Sequence, residues 1–179
     1  MKEFNRKKIF CIALVLLLLL VAAFAVAQAW QYIAYPQKYR EYVERYAREF
    51  GVPEYIVYSV IKVESGFDKD ALSPKGACGL MQLMPETYEW LLEAMGKESG
   101  TRADIFNEEE NIMCGTYYLS MLHARYGNWE LAFCAYNAGM GNVDKWLKTK
   151  PFHIRFSETK EYVNKLKVVT GKYRSLYYE

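Results

Sequence analysis

Apolar side chains after residue 29 recur every three or four positions, which is the spacing of amphipathic helices. Pro53 and Pro85 suit the first position of a helix, and Asn107, Asn128 and Ser157 are predicted N-caps. No stretch longer than four residues alternates as a strand would. The pattern therefore predicts one compact all-α domain over residues 39–179, without repeats. Its helices are expected to begin near Tyr39, Pro53, Pro85, Asn107, Asn128 and Ser157.

The segment before this domain holds a continuous apolar block over residues 9–29, with no charge inside it. A bilayer requires about 20 such residues. Four basic residues precede the block and three aromatic residues follow it, as expected at the two surfaces of a membrane. We predict a basic cytoplasmic tail (1–8), a transmembrane anchor (9–29) and a short linker (30–38). The flanking residues are Lys2, Arg6, Lys7 and Lys8, then Trp30, Tyr32 and Tyr35.

A signal peptide is the alternative interpretation of this block. Ala27-Gln28-Ala29 has the small-x-small pattern of a cleavage site, so the chain could be secreted after cleavage near Ala29. In both cases the domain lies outside the cytoplasm, because basic residues keep the N-terminus on the cytoplasmic side.

Composition and charge narrow the classes of function. Apolar residues make up 52% of the chain and aromatic residues 16%, which excludes a disordered protein. The formal net charge of +2 originates in the N-terminal tail, because residues 9–179 hold 19 basic against 20 acidic side chains. The domain therefore lacks the basic bias of nucleic-acid-binding proteins, and no nucleic-acid partner is expected.

The cysteines and histidines do not predict a metal site. Cys11 lies inside the apolar block and is interpreted as an apolar filler. An exported domain permits one disulfide among Cys78, Cys114 and Cys134, but their small apolar neighbours favour buried thiols. Neither their spacing nor that of the two histidines, His123 and His153, fits metal ligation. No metal and no cofactor are expected.

Glu64 occupies an unusual position for a charged residue. It follows Val57, Val60 and Ile61 by seven, four and three residues, which places it on the apolar face of its predicted helix. Burial and the negative end of the helix dipole both disfavour ionisation and raise the pKa of this carboxyl. A raised pKa suits a general acid near neutral pH. The pattern alone slightly favours a structural glutamate neutralised by a nearby Lys or Arg.

Four motifs follow one another along the chain. In this order they closely resemble the catalytic domain of the soluble lytic transglycosylase family of bacterial cell-wall enzymes. The resemblance extends from about Tyr39 to Tyr173 and implies a lysozyme-like fold of the goose type. The motifs are Glu64-Ser65-Gly66, Ser73-Pro74-Lys75-Gly76-Ala77-Cys78-Gly79-Leu80-Met81-Gln82, Ala135-Tyr136-Asn137-Ala138-Gly139, and Glu158-Thr159 with Tyr162-Val163.

The resemblance assigns roles to matching positions. Glu64 matches the catalytic acid and base, and Tyr136 matches an active-site tyrosine close to that carboxyl. Glu158 matches a second acidic residue of the sugar cleft, supported by Tyr162. The implied substrate-binding residues are Ser73, Gln82, Met84, Tyr136, Asn137 and Glu158.

Several of these residues also have a purely structural interpretation. Ser73 with Pro74 could simply begin a turn. Met84 could be a core filler, and Tyr136 could be a packing residue among 16 tyrosines. The order of the motifs favours the functional interpretation.

The reaction implied by the resemblance cuts peptidoglycan between N-acetylmuramic acid and N-acetylglucosamine without water. Glu64 would protonate the glycosidic oxygen, and the substrate's own N-acetyl oxygen would stabilise the positive sugar carbon. Glu64 would then accept the proton of the muramic C6 hydroxyl as that hydroxyl attacks its own ring, giving a 1,6-anhydro sugar. This attack draws on proximity instead of a second catalytic carboxyl. Asp68 and Asp70 are interpreted as solvated loop acids.

The implied partners are peptidoglycan strands and, through the N-terminal helix, a membrane; we expect a monomer. One alternative is a hydrolysing muramidase on the same scaffold, in which Glu158 would activate water. Another is a wall-binding protein without catalysis. Glu64, Gln82 and Tyr136 together argue against the second alternative.

Overall fold

The computed structural model describes residues 2–98 and 104–179. Within these ranges no strand forms, and the only β-pairing is two isolated bridges that join Cys78 to Leu72 and to Leu83. The predicted all-α fold is therefore confirmed. The helices are α1 (Lys2–Ala34), α2 (Arg40–Phe50), α3 (Glu54–Glu64), α4 (Pro85–Ala94), a 3₁₀ turn (Asp104–Phe106), α5 (Glu108–Tyr126), α6 (Trp129–Ala138), α7 (Met140–Leu147) and α8 (Ser157–Tyr177).

The chain divides into two compact units, of which the first ends at Pro36 and the second runs from Gln37 to Glu179. The first unit is α1, whose large apolar side chains from Ile9 to Ile33 are exposed. Its segment Asn5–Ala34 is long and apolar enough to cross a membrane, a property that signal sequences share. The helix continues beyond residue 29 into the segment predicted as a linker.

Most helix ends of the second unit agree with the sequence pattern. Gly51 and Gly127 adopt left-handed conformations directly after α2 and α5. The side chains of Asn107 and Asn128 each accept a 3.1 Å hydrogen bond from a backbone N–H in the first turn of the helix that follows. Both are therefore N-caps, as predicted.

The predicted start of the last helix was wrong by one residue, and one helix was missed. Ser157 is the first residue of α8, and Phe156 holds the cap position without a side-chain bond. Pro53 likewise stands before the first helical residue, because its ψ of 133° is extended. After Gly139 the chain forms α7, which the glycine-rich sequence did not predict.

α5 lies at the centre of the second unit. It packs against α2, α4, α6 and the 3₁₀ turn, while α8 packs against α3 and α6. The end of α3, which carries Glu64, is therefore covered by α8. The residues of α5 from Asn111 to Thr116 are all buried, as expected for a helix that is surrounded on most sides.

The loop between α3 and α4, residues 65–84, is held on α5 by one buried asparagine. Asn111 accepts a 2.7 Å hydrogen bond from the Met81 backbone N–H, and its amide nitrogen donates to the carbonyls of Cys78 and Ile105 at 3.1 and 2.7 Å. A Cβ at Gly79 would lie 2.5 Å from that nitrogen, so only glycine fits there. This loop contains the second motif, and Asn111 therefore fixes one wall of the site described below.

We predict that Asn111→Ala destabilises the protein by about 3 kcal/mol. It removes this partner from the Met81 N–H and the Ile105 carbonyl, and it leaves the Cys78 carbonyl with only the Leu83 N–H as a donor. Urea unfolding of the full chain in detergent, followed by tryptophan fluorescence, measures the change. Asn164→Ala, at an exposed position on α8, is the matched control. A loss no larger than that of the control would contradict the role given to Asn111.

Candidate active site

All seven residues that the resemblance selected line one cleft. Its volume is about 330 Å³, and it lies between loop 65–84 and the facing ends of α3, α6 and α8. Residues distant in sequence therefore meet in one place. The lining residues are Glu64, Ser73, Pro74, Lys75, Ala77, Gln82, Met84, Tyr136, Asn137 and Glu158.

Glu64 is the last residue of α3 and is partly buried. Loss of water around the carboxyl is the largest effect and raises its pKa to about 7. Two smaller effects act in the opposite direction, because they stabilise the charged form. The Tyr162 hydroxyl donates a 2.6 Å hydrogen bond to Glu64 Oε1, and the Lys165 ammonium adds favourable charge. The result is a carboxyl that can hold or release a proton near neutral pH.

Two tyrosines flank this carboxyl, and they differ in their hydrogen bonds. The Tyr136 hydroxyl donates to the backbone carbonyl of Met81 at 2.7 Å, so it ties α6 to loop 65–84. Burial and, next, the charge of Glu64 raise the pKa of Tyr136 well above its usual value, which agrees with a position near the carboxyl. The direct hydrogen bond to Glu64 comes from Tyr162. The resemblance implied for Tyr162 only a supporting role beside Glu158.

Gln82 holds the bend in the cleft wall. Its φ of 49° is left-handed, which is uncommon for a residue other than glycine. The side-chain nitrogen donates to the carbonyls of Ala71 and Gly79 at 3.0 and 2.9 Å. Gln82 therefore both lines the cleft and fixes the loop around it.

Ser73 and Met84 also lie on the wall formed by loop 65–84. The Ser73 hydroxyl oxygen accepts a 2.9 Å hydrogen bond from the Ala77 backbone N–H, so the turn interpretation and the cleft position both hold. Its own O–H proton can still be donated to a ligand. Met84, just before α4, is 38% exposed, so it is an apolar surface of the cleft and not a core filler.

The opposite wall is formed by α6 and α8. Asn137, at the end of α6, accepts a 2.7 Å hydrogen bond from the Thr159 hydroxyl, which joins these two helices. Glu158, in the first turn of α8, is exposed and forms an ion pair with Lys75 across the cleft, with N–O distances of 3.2 and 3.1 Å. Lys75 is a lining residue that sequence reasoning passed over.

The remaining candidates lie outside the cleft. Asp68 and Asp70 are exposed loop acids, as predicted. His123 stacks on Trp129 with the ring centres 4.1 Å apart. The thiols of Cys78, Cys114 and Cys134 are buried. Among residues 2–98 and 104–179 no group of three His, Cys, Asp or Glu side chains is arranged to hold a metal ion.

The fold and the cleft define a class: a lysozyme-like helical domain with one partly buried carboxylic acid in a cleft lined by both polar and apolar side chains. Residues 41–156 match the family model described as the transglycosylase SLT domain. The chain belongs to this family, as the motifs predicted.

Relatives and solved structures agree with this assignment. The chain is 29% identical to the soluble lytic murein transglycosylase of Escherichia coli, over 86% of this chain and 26% of the relative. It is 33% identical to the membrane-bound lytic murein transglycosylase C of Edwardsiella ictaluri, over 59% and 32%. It is also similar to the structure of lytic transglycosylase Slt of Pseudomonas aeruginosa, solved as an inactive glutamate-to-glutamine mutant. That match has a TM-score of 0.73 and 33% identity, over 79% of this chain and 24% of the other. The chain therefore spans only about a quarter to a third of these proteins.

We predict that Tyr162→Phe raises the pKa of Glu64 above its present value of about 7, by roughly one pH unit, because the lost hydrogen bond stabilises the ionised carboxylate. Carbon-13 NMR titration of the glutamate carboxyls measures the change, with Glu64→Gln used to assign the signal. Tyr136→Phe is the matched control, since its hydroxyl bonds to Met81 instead. An equal shift in both variants would contradict the role assigned to Tyr162.

We also predict how Glu64 links stability to pH. Its folded pKa of about 7 exceeds the ordinary value of 4.5, so the folded state resists ionisation. The contribution to stability is largest below pH 4.5, falls as the pH rises to about 7, and then levels off. Glu64→Gln removes this fall, and relative to the native chain it gains roughly 3 kcal/mol between these limits. Unfolding curves measured across this range test the prediction, and parallel pH profiles of the two proteins would contradict it.

Proposed function

We propose that this chain is a peptidoglycan lytic transglycosylase. It cleaves the MurNAc-β-1,4-GlcNAc bond without water and leaves 1,6-anhydro-MurNAc ends, with Glu64 as the single catalytic acid and base. The observation that carries the proposal is the pKa of about 7 of this sheltered carboxyl in a cleft of a lytic transglycosylase family domain. The inactive glutamate-to-glutamine mutant of the Pseudomonas aeruginosa relative supports an essential glutamate in that protein.

A pKa near neutrality suits both halves of the reaction. Glu64 in its protonated form gives its proton to the glycosidic oxygen as the bond breaks. The resulting carboxylate then takes the proton of the muramic C6 hydroxyl as this oxygen attacks the ring carbon. A carboxyl of ordinary pKa would be ionised too fully for the first step, and one of much higher pKa would be a poor acid. Tyr162 stabilises the carboxylate between the two steps.

The second acid of the cleft supports a reaction without water. Glycosidases that use water or a protein nucleophile pair two carboxyls across the bond. Glu158 is exposed and bonded to Lys75, so it lacks the shelter that Glu64 has. Attack by the sugar's own C6 hydroxyl needs no second carboxyl, because the hydroxyl and the ring carbon that it attacks belong to the same sugar residue.

The other lining residues are proposed to bind the glycan. Ser73 has a hydroxyl proton to donate to a sugar oxygen, and Met84 offers an apolar surface to a sugar face. Tyr136, bonded to the Met81 carbonyl, keeps the cleft wall beside Glu64 in place. Gln82, Asn137 and Glu158 supply polar groups along both walls.

We propose that α1 anchors the chain in the membrane, with residues 1–8 in the cytoplasm, 9–29 in the bilayer and 39–179 outside as a monomer. The exposed apolar surface of α1 and its length support an anchor, and so does the similarity to the membrane-bound lytic murein transglycosylase C of Edwardsiella ictaluri. Only Tyr35 and Pro36 stand between α1 and the second unit. The domain would therefore act on wall close to the membrane.

Mass spectrometry of peptidoglycan digested by the full chain tests the reaction. We expect products one water lighter than those of hydrolysis. Glu64→Gln is expected to reduce the rate by roughly 10²–10⁴-fold, because it removes the general acid and base. The variant should keep the fold and the binding of glycan.

Glu158→Gln is the matched control for that experiment, since it changes the other carboxyl of the same cleft. It is expected to slow cleavage far less than Glu64→Gln and still to yield anhydro ends. Reducing ends in the digest would refute the transglycosylase reaction and favour a muramidase. Full activity of Glu64→Gln would remove Glu64 from the mechanism.

A further inference from the structure

We propose that Lys75 is a specificity-determining residue that binds the lactyl carboxylate of peptide-free muramic acid at the rim of the cleft. The inference rests on the proposed glycan cleavage and adds a preference for anionic strands. It concerns a side chain to which the motif comparison assigned no role.

Lys75 lies at the rim of the cleft in an exposed ion pair. Its ammonium forms an ion pair with Glu158, so one side chain from loop 65–84 reaches one from α8 across the cleft. The two side chains are 76% and 69% exposed, and pairs that are so exposed contribute little to stability. The pair can therefore open when a ligand offers a better partner.

A second cavity lies beside Lys75. It has a volume of about 360 Å³ and adjoins the cleft, because Lys75 and Met84 line both. Its wall on α4 carries the carboxyls of Glu86 and Glu89. Lys75 is the single cation among the described residues that line either space. A negatively charged substituent is therefore repelled along this surface except at Lys75.

The chemistry of the glycan supplies the partner. N-acetylmuramic acid differs from N-acetylglucosamine by a lactyl ether that ends in a carboxyl group. In peptide-free strands this group is a carboxylate, and it can replace the Glu158 carboxylate on Lys75 without loss of a charge-assisted hydrogen bond. Glu158 is then available to accept hydrogen bonds from sugar N–H or O–H groups.

The test compares two forms of one substrate: peptide-free glycan strands with lactyl carboxylates, and the same strands with these groups converted to neutral methylamides. We expect Lys75→Met to lower kcat/KM on the carboxylate strands by about fivefold, mainly through KM, and to lower it clearly less on the amide strands. The preference of the native chain for carboxylate strands should weaken as salt is added, because the contact is exposed. Lys69→Met is the matched control, since Lys69 pairs with Asp70 in the same loop outside the cleft.

A double variant, Lys75→Glu with Glu158→Lys, separates recognition from the ion pair itself. It restores a pair of reversed direction, and we expect it to remain impaired on carboxylate strands. Recovery in this variant, or equal losses of Lys75→Met on both substrates, would overturn the proposal in favour of a structural pair. Unchanged kinetics of Lys75→Met would overturn it as well. If the native chain cleaves neither substrate, the proposed function itself fails, and this inference fails with it.

Discussion

The hydrogen bond from Tyr162 to Glu64 joins α8 to the end of α3, and the chemistry of the cleft depends on it. Burial alone would drive the carboxyl strongly towards its neutral form. The hydroxyl and the Lys165 charge oppose this effect and keep the pKa near neutrality. The same two helices are locked by the stacked rings of Tyr58 and Tyr173, whose centres are 5.5 Å apart. The packing of α3 on α8 therefore sets the pKa of the Glu64 carboxyl.

The wall formed by loop 65–84 contains no helix or strand and depends on amide side chains. The backbone hydrogen bonds of loop 65–84 form turns and isolated bridges, and the loop passes through the left-handed conformations of Gly79 and Gln82. A left-handed non-glycine residue costs roughly 1 kcal/mol. Two amide side chains offset this cost. Asn111 accepts from the Met81 N–H, and the Gln82 side chain gives the Ala71 and Gly79 carbonyls a second donor beside their backbone partners. Loop 65–84 therefore forms a rigid wall against which a sugar can bind.

The sequence predicts structural features that depend on residues close together in the chain, and it predicts few that depend on distant residues. Helical period and caps are local, so α5 and the position of Glu64 on an apolar face were predictable. The bond between Glu64 and Tyr162 spans 98 residues, and the Lys75–Glu158 pair spans 83, so no periodicity reports them. Asn111 did leave a signal, as an asparagine directly before the apolar run Ile112-Met113-Cys114 of α5. The helix after Gly139 left little, because its first turn contains Gly141.

The two carboxyls of the cleft differ in their access to water. As a result, the charge of one responds to pH, and the interactions of the other respond to salt. Glu64 is sheltered, so its charge responds to pH near neutrality and little to salt. Glu158 is exposed beside a lysine, so its interactions are screened by salt. Proton transfer at Glu64 and ligand binding at Glu158 can therefore vary independently. A fold with few buried charges achieves this with one helix, α8, which supplies both Glu158 and the tyrosine one turn later.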